Sequence, residues 1–141
     1  MNRYGIGDLF IGQKESFQVV VTEEMMEAFY RITKDENPLH RDPEYAAENG
    51  YSQPVAYGML TASFLSTLAG VYLPGEKSLI QSVELKFVKP VFSGDELTVT
   101  GEVTEIHESV RQIVLKTVIT NRENVKVLKG IIKIGVRDER E

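Results

Sequence analysis

The chain has 141 residues, of which 42% are hydrophobic and 26% charged, and its formal net charge at pH 7 is -5. This size and composition predict a single globular domain over residues 1–141, and the acidic balance argues against nucleic acid as a main partner. Cysteine is absent, which excludes disulfides and thiolate metal sites, and the N-terminus contains no signal-peptide core, so we expect a cytoplasmic protein.

The N-terminal half predicts a short strand followed by two helices. Residues 17–21 have strand composition, and Thr22 is suited to cap the helix that follows. Apolar residues repeat at helical spacing over residues 25–32 and give that helix one apolar face. Asp42 precedes a proline and predicts the start of a shorter helix, which Gly50 ends.

A long apolar stretch in the middle of the chain predicts a buried helix. No charged residue occurs between Glu48 and Glu76. The apolar run is shorter than the roughly 20 residues that a membrane span needs, and serines and threonines interrupt it. We therefore expect no membrane association and a helix that begins near Val55 or Gly58, is buried on nearly all sides, and ends at about Gly70.

The C-terminal half predicts an antiparallel sheet. Val83, Leu85 and Phe87 alternate with polar residues, which indicates a strand with one buried face. A sheet wrapped around the buried helix satisfies the whole pattern and gives an α+β fold. Three further strand-like runs cover residues 97–104, 110–120 and 125–136, and a charged tail without expected structure covers residues 137–141.

The turn after the first helix carries the residues that are best suited to catalysis. Asp35 and His40 lie on either side of an Asn37-Pro38 step, which takes the chain out of the helical region. A carboxylate and an imidazole that converge on one water provide general acid–base chemistry. The alternative is a helix-ending turn with a capping Asp and an exposed His. The other histidine, His107, is expected in a hairpin loop.

Three segments of the chain resemble the MaoC-like, (R)-specific enoyl-CoA hydratases of the hot-dog fold. FYRITKDENPLH at residues 29–40, followed by Ala46, resembles the hydratase motif of that family. PVAYGML at residues 54–60 and KFVKPVFSGD at residues 86–95 resemble its central helix and a strand with its turn. The resemblance implies an antiparallel sheet wrapped around a long central helix.

The same resemblance implies a reaction and a role for each matching residue. The reaction is reversible syn addition of water to a trans-2-enoyl thioester, which gives a (3R)-hydroxyacyl thioester. Asp35 and His40 would be the catalytic pair, and Asn37 would hold the turn. The backbone N–H of Gly58 would face the thioester oxygen, as expected at a helix start. Ser66 would offer its hydroxyl to the acyl group or to the pair.

Two positions depart from the family pattern, and one small residue suggests the acyl site. Lys34 stands where family members usually have glycine, and Tyr57 stands where they often have histidine. Tyr57 keeps a ring that can hydrogen-bond, so we expect it to bind substrate or support the pair. Ala69 lies one turn past Ser66, so its small side chain is expected to leave room for the acyl chain.

The resemblance also implies the partners. The substrate would be a CoA thioester, with acyl-carrier protein as an alternative carrier that the charge of -5 does not favour. No cofactor and no metal are expected, since a catalytic zinc usually has three protein ligands. Small hot-dog domains generally form dimers whose sites are lined by both chains, which predicts a homodimer or a higher homo-oligomer.

Two other functions fit the fold. An acyl-CoA thioesterase of the hot-dog type usually places a carboxylate on the buried helix, but residues 57–72 contain no Asp or Glu. A non-catalytic acyl-CoA-binding subunit would keep the fold and lack the Asp35–His40 pair. We rank both below the hydratase.

Overall fold

A computed structural model describes residues 1–138, so the expectation for the last three residues of the tail lies outside the described part of the chain. The strands are β1 (Lys14–Val20), β2 (Ser78–Phe87), β3 (Glu96–His107), β4 (Gln112–Thr120) and β5 (Lys126–Val136). The helices are α1 (Glu23–Thr33), α2 (Pro43–Glu48) and α3 (Gly58–Thr67). A 3₁₀ turn covers Pro38–His40, and a π-helical turn covers Leu68–Tyr72.

The sheet has five antiparallel strands in the order β1-β3-β4-β5-β2. The central helix packs on its inner face, and glycine permits a close approach there. A Cβ at Gly101 on β3 would lie only 2.8 Å from Cδ2 of Leu68, at the end of the central helix. The predicted α+β arrangement of a sheet around a buried helix is confirmed.

The predicted helix starts are confirmed by their capping contacts. The Thr22 hydroxyl accepts a 3.1 Å hydrogen bond from the Met25 N–H at the start of α1. The Asp42 carboxylate accepts hydrogen bonds from Glu44 N–H at 3.0 Å and Tyr45 N–H at 3.3 Å at the start of α2. Each cap satisfies N–H groups that lack a partner within the helix.

The central helix differs from the prediction in two ways. Regular α-helical structure ends at Thr67 and continues as the π-helical turn, so the helix is not uniform up to Gly70. One side of α3 is open, with Met59 61% exposed. The expectation of burial on nearly all sides is wrong there, because this side forms the wall of a cleft. Within residues 1–138, no helix is long and apolar enough to cross a membrane.

Strand β2 also differs from the prediction. Val83 is 47% exposed and Phe87 51% exposed, so the face that was expected to be buried is only partly covered. The reason is topological, because β2 is an edge strand of the sheet and its inner face borders the same cleft. Alternation identified the strand and its apolar face, and the position of the strand in the sheet decided how much of that face is buried.

Candidate active site

An open cleft of about 740 Å³ lies between the end of α1, the first turns of α3 and the inner face of β2. Its wall is mostly apolar, and its polar side chains are concentrated in the segments predicted to be functional. Five of the predicted residues line it, namely Asp35, His40, Tyr57, Gly58 and Ser66. Asn37 and Ala69 are not part of its wall. The fold thus gathers most of the predicted site from two separate segments, the turn after α1 and the helix α3 with its N-cap.

The turn that carries Asp35 begins with a left-handed residue. Lys34 has φ 60°, and its N–H donates a 2.7 Å hydrogen bond to Tyr30 O, which ends α1. Glycine is the usual residue in this conformation because a Cβ is disfavoured there. The left-handed conformation therefore explains why the family pattern has glycine at this position. Lys34 adopts the same conformation with a strained backbone angle.

Side-chain hydrogen bonds fix the turn between Asp35 and His40. Asp35 Oδ1 accepts from Asn37 N–H at 3.1 Å, and Asn37 Oδ1 accepts from Leu39 N–H at 3.0 Å. Asn37 caps the 3₁₀ turn that ends at His40. Two successive Asx-type contacts thus set the separation of the carboxylate and the imidazole. Asn37 acts on the backbone of the turn and not on the cleft.

The orientation of His40 is set by the segment that precedes α3. Its Nδ1 lies 2.7 Å from Val55 O, and Val55 N–H donates to Leu39 O at 3.0 Å. A carbonyl oxygen only accepts, so Nδ1 carries the proton. In the neutral imidazole, Nε2 is then the unprotonated nitrogen and is free to accept a hydrogen bond from a water.

Tyr57 contacts both members of the pair. It is only 2% exposed, and its hydroxyl donates a 2.8 Å hydrogen bond to Asp35 O. Its ring packs against the imidazole of His40 at 4.3 Å between centroids, and against the ring of Phe29 at 4.9 Å. The residue that departs from the family pattern is thus packed between the carboxylate turn and the imidazole.

Arg41 is a neighbour of the site that the sequence analysis missed. Its guanidinium carbon lies 3.6 Å from the ring centroid of Tyr30, and its Nη1 lies 3.4 Å from Glu27 Oε2. The adjacent Tyr57 hydroxyl is the main cause that raises the pKa of Arg41 above its ordinary value, and Glu27 adds to it. No spacing rule points to this contact, because the turn after α1 creates it.

Gly58 is the first residue of α3, and its N–H donates no hydrogen bond within residues 1–138. The start of a helix leaves such N–H groups free and carries a partial positive charge. Glycine also leaves room beside this group, since a Cβ here would lie 3.2 Å from Cε1 of Phe87. The arrangement suits an oxygen that gains negative charge.

The two small residues further along the helix have different environments. Ser66 is exposed and lines the cleft, whereas Ala69 is fully buried in the core. The expectation that Ala69 continues the Ser66 face into the cleft rests on a regular α-helix. The π-helical turn begins at Leu68 and changes the direction of the residues that follow, so Ala69 is directed into the core.

A family model for the MaoC like domain matches residues 10–126. The chain belongs to the MaoC-like domain family. The (R)-specific enoyl-CoA hydratase of Aeromonas caviae is 37% identical over 122 residues, covering 86% of this chain and 91% of that protein. The 3-hydroxybutyryl-CoA dehydratase of Methylorubrum extorquens is 31% identical over 134 residues, covering 94% and 85%.

The fold of this MaoC-like chain also matches a solved structure closely. The unliganded R-hydratase of Pseudomonas aeruginosa superposes with a TM-score of 0.89 at 29% identity, covering 96% of this chain and 86% of that one. The predicted hot-dog fold is confirmed. Across residues 1–138 of the MaoC-like chain, no group of three or more histidine or acidic side chains is placed to hold a metal ion.

Proposed function

We propose that this MaoC-like protein adds water reversibly to trans-2-enoyl-CoA thioesters and forms (3R)-hydroxyacyl-CoA. One observation carries the proposal: Asp35 and His40 line the same apolar cleft as Gly58, whose N–H at the start of α3 donates no hydrogen bond within residues 1–138. A carboxylate, an imidazole and a backbone donor beside an apolar channel are the groups that hydration of an enoyl thioester requires. The related hydratases and the dehydratase support the same reaction class.

The catalytic pair acts on a single water. The water is held between the Asp35 carboxyl group and Nε2 of His40, which the contact of Nδ1 with Val55 O leaves free. One member of the pair takes a proton from the water as its oxygen bonds to C3 of the substrate. The other member gives a proton to C2, so one proton leaves the pair for each proton it gains.

The thioester oxygen gains negative charge as the water adds to C3. The N–H of Gly58 donates to this oxygen, and the positive end of α3 stabilises the charge further. Loss of one such donor typically lowers the rate by about a hundred- to a thousand-fold. In this proposal both catalytic side chains act from one side of the substrate, so oxygen and hydrogen arrive on the same face of the double bond.

The functional unit is a homodimer. Within residues 1–138, strand β2 is an edge strand with no neighbouring strand on its outer side, and it exposes the apolar side chains of Leu79, Ile80 and Val83. Such an edge is a template for pairing with another chain, and here the same strand borders the cleft. A second copy that pairs through β2 would cover these side chains and complete the wall of the cleft.

The test is hydration of crotonyl-CoA. The reaction is monitored as a decrease in the ultraviolet absorbance of the conjugated enoyl group. Chiral chromatography of the product is expected to give (3R)-hydroxybutyryl-CoA. Asp35→Asn and His40→Ala are expected to fold normally and to lose hydration. His107→Ala is the matched control, because this histidine lies at the end of β3 against Glu105, away from the cleft. Substantial activity in both pair variants would contradict the assignment.

Other outcomes of this test identify the alternative functions. Release of free thiol would indicate a thioesterase, which the absence of Asp and Glu from residues 57–72 disfavours. Binding of crotonyl-CoA with no reaction would indicate an acyl-CoA-binding subunit. A much lower KM for crotonyl-acyl-carrier protein than for crotonyl-CoA would identify acyl-carrier protein as the natural carrier. The proposed reaction would be unchanged.

A further inference from the structure

A second cavity, of about 300 Å³, shares walls with the cleft. His40, Gly58 and Phe87 line both spaces, so the free N–H at the start of α3 lies at their junction. The second cavity is smaller than the cleft and is bordered by Thr61 and by Lys89, an exposed cation just after β2. It adjoins the site already described, and Thr61 and Lys89 have no role in the proton transfers proposed above.

Thr61 contributes a buried hydroxyl that has no partner. The residue is 3% exposed, and its Oγ1 forms no hydrogen bond within the described residues. Buried polar atoms are nearly always paired, and a helical serine or threonine usually bonds back to a carbonyl one turn earlier. Ser63 does so, donating to Leu60 O at 2.6 Å. A helical threonine uses two χ1 rotamers, so the Thr61 hydroxyl can turn into the cavity that the residue lines.

The spacing of Gly58 and Thr61 matches the chemistry of a CoA thioester. Three residues of α-helix rise by about 4.5 Å, and residues three apart share a face. In CoA, two methylene groups separate the thioester sulfur from the first amide of the pantetheine arm, a span of similar length. An amide offers one donor and one acceptor, and a hydroxyl complements both.

We infer that the second cavity binds the pantetheine arm of the substrate and that the Thr61 hydroxyl pairs with its first amide. The inference rests on the proposed function, because the thioester carbonyl at Gly58 N–H sets the position of the arm. The acyl chain then enters the apolar cleft, and the arm leaves on the other side of Gly58. Lys89 lines the cavity on that side. Its positive charge would attract the negatively charged phosphates of CoA, which follow the pantetheine arm.

The test compares Thr61→Val, which keeps the shape and removes the hydroxyl, with Thr61→Ser, which keeps the hydroxyl. Calorimetry measures the Kd of butyryl-CoA, a saturated thioester that is not hydrated. Thr61→Val is expected to weaken binding by about tenfold, the typical value of one hydrogen bond, and Thr61→Ser by less than about twofold. Urea unfolding of Thr61→Val is expected to match the wild type, since the buried hydroxyl has no partner to lose.

Kinetics with truncated substrates test whether the first amide is the group that the Thr61 hydroxyl binds. S-crotonyl-N-acetylcysteamine keeps the first amide, and the S-ethyl thioester of crotonic acid lacks it. Thr61→Val is expected to raise KM about tenfold for the first compound and to leave the second unchanged.

Equal effects on both substrates, or wild-type binding of butyryl-CoA by Thr61→Val, would overturn the inference and assign the hydroxyl to an internal water. If the wild type binds butyryl-CoA through Thr61 but does not hydrate crotonyl thioesters, the subsite stands and the proposed reaction fails. If the wild type hydrates crotonyl thioesters and Thr61→Val changes neither binding nor KM, the proposed reaction stands and the subsite fails.

Discussion

The hydroxyl of Tyr57 donates a 2.8 Å hydrogen bond to the backbone carbonyl of Asp35, from a position 22 residues later in the chain. The same side chain packs against the imidazole of His40 at 4.3 Å between ring centroids. Tyr57 therefore connects the two members of the proposed pair without adding a reactive group of its own. We propose that it is a positioning residue, and it stands where the family pattern often has a histidine before the helix-start glycine.

Tyr57→Phe tests this positioning. The variant keeps the ring beside His40 and removes the hydrogen bond to Asp35 O, which is worth about 1 kcal/mol in typical cases. We expect kcat for crotonyl-CoA to fall about five- to tenfold with little change in KM, and the pH–rate profile to shift because the pair is held less firmly. Tyr45→Phe, on α2 and 40% exposed, is the control and should behave as the wild type. An unchanged kcat and pH profile would show that the contact is only structural.

Lys34→Gly tests the strain at the end of α1. The left-handed conformation of Lys34 costs roughly 1–2 kcal/mol for a residue with a Cβ, and glycine adopts it freely at some cost in unfolded-state entropy. We expect the free energy of unfolding, measured in urea, to rise by up to about 1 kcal/mol. Glu36→Gly, two residues further and without a positive φ, should lower it. Equal destabilisation by both variants would argue against strain.

Gly58→Ala tests the space beside the proposed oxyanion donor. The new Cβ would lie 3.2 Å from Cε1 of Phe87 and occupy room next to the N–H. We expect kcat/KM for crotonyl-CoA to fall about tenfold or more. Complete loss of an oxyanion donor lowers the rate by about a hundred-fold, and crowding beside the N–H should remove part of that stabilisation.

Gly70→Ala is the matched control for Gly58→Ala. Its Cβ would meet Ser78 Oγ at 3.8 Å, an ordinary contact, so activity should be retained and stability should not fall. Full activity of Gly58→Ala would move the oxyanion site away from this N–H.

Ala69→Leu tests whether the core behind the cleft limits the acyl chain. Ala69 does not line the cleft. It lies about one turn after Leu65 and Ser66, and both of these residues line the cleft. Added volume at this buried position should press the wall inward, with a cost of about 1–3 kcal/mol in stability. We expect kcat/KM to fall more for octenoyl-CoA than for crotonyl-CoA.

Ala46→Leu provides the control for this effect. Ala46 is equally buried but lies on α2, so its variant should lose stability without changing chain-length preference. The same loss for both substrates in Ala69→Leu would show that this part of the core does not shape the acyl site.

Leu79→Glu tests the proposed dimer. Leu79 is 58% exposed on edge strand β2, and a charge there would be buried by a second copy pairing through the strand. We expect sedimentation velocity to show a shift from dimer to monomer, with loss of hydration if both copies complete the cleft. Val110→Glu, at a 66% exposed position in the turn after β3, should leave the dimer intact. A wild-type monomer with full activity would contradict the proposal.

Local sequence patterns predicted the elements because their causes are local. Thr22 and Asp42 cap helices through N–H groups two or three residues away, so their types and positions were sufficient. Alternation identified β2 because side chains change face at every residue of a strand. The Asp35–His40 turn could be identified in the same way, since its hydrogen bonds join residues two positions apart.

Contacts between distant segments could not be predicted in this way. Arg41 and Tyr57 meet because a turn and the start of α3 come together, and no periodicity encodes that meeting. The burial of β2 depended on its place at the edge of the sheet, which is a property of strand order and not of the strand itself. The change to π-helical structure at Leu68 likewise redirected Ala69 away from the cleft.

The sequence by itself determined the helices, the strands and the turn that carries Asp35 and His40, the pair we propose as catalytic. These depend on spacing along the chain, where each cause lies within a few residues of its effect. Only the tertiary structure decided that Tyr57 contacts both Asp35 and His40, that Gly58 lies between two cavities, and that the Thr61 hydroxyl has no partner among residues 1–138. These features depend on which surfaces the folded sheet and helices bring together.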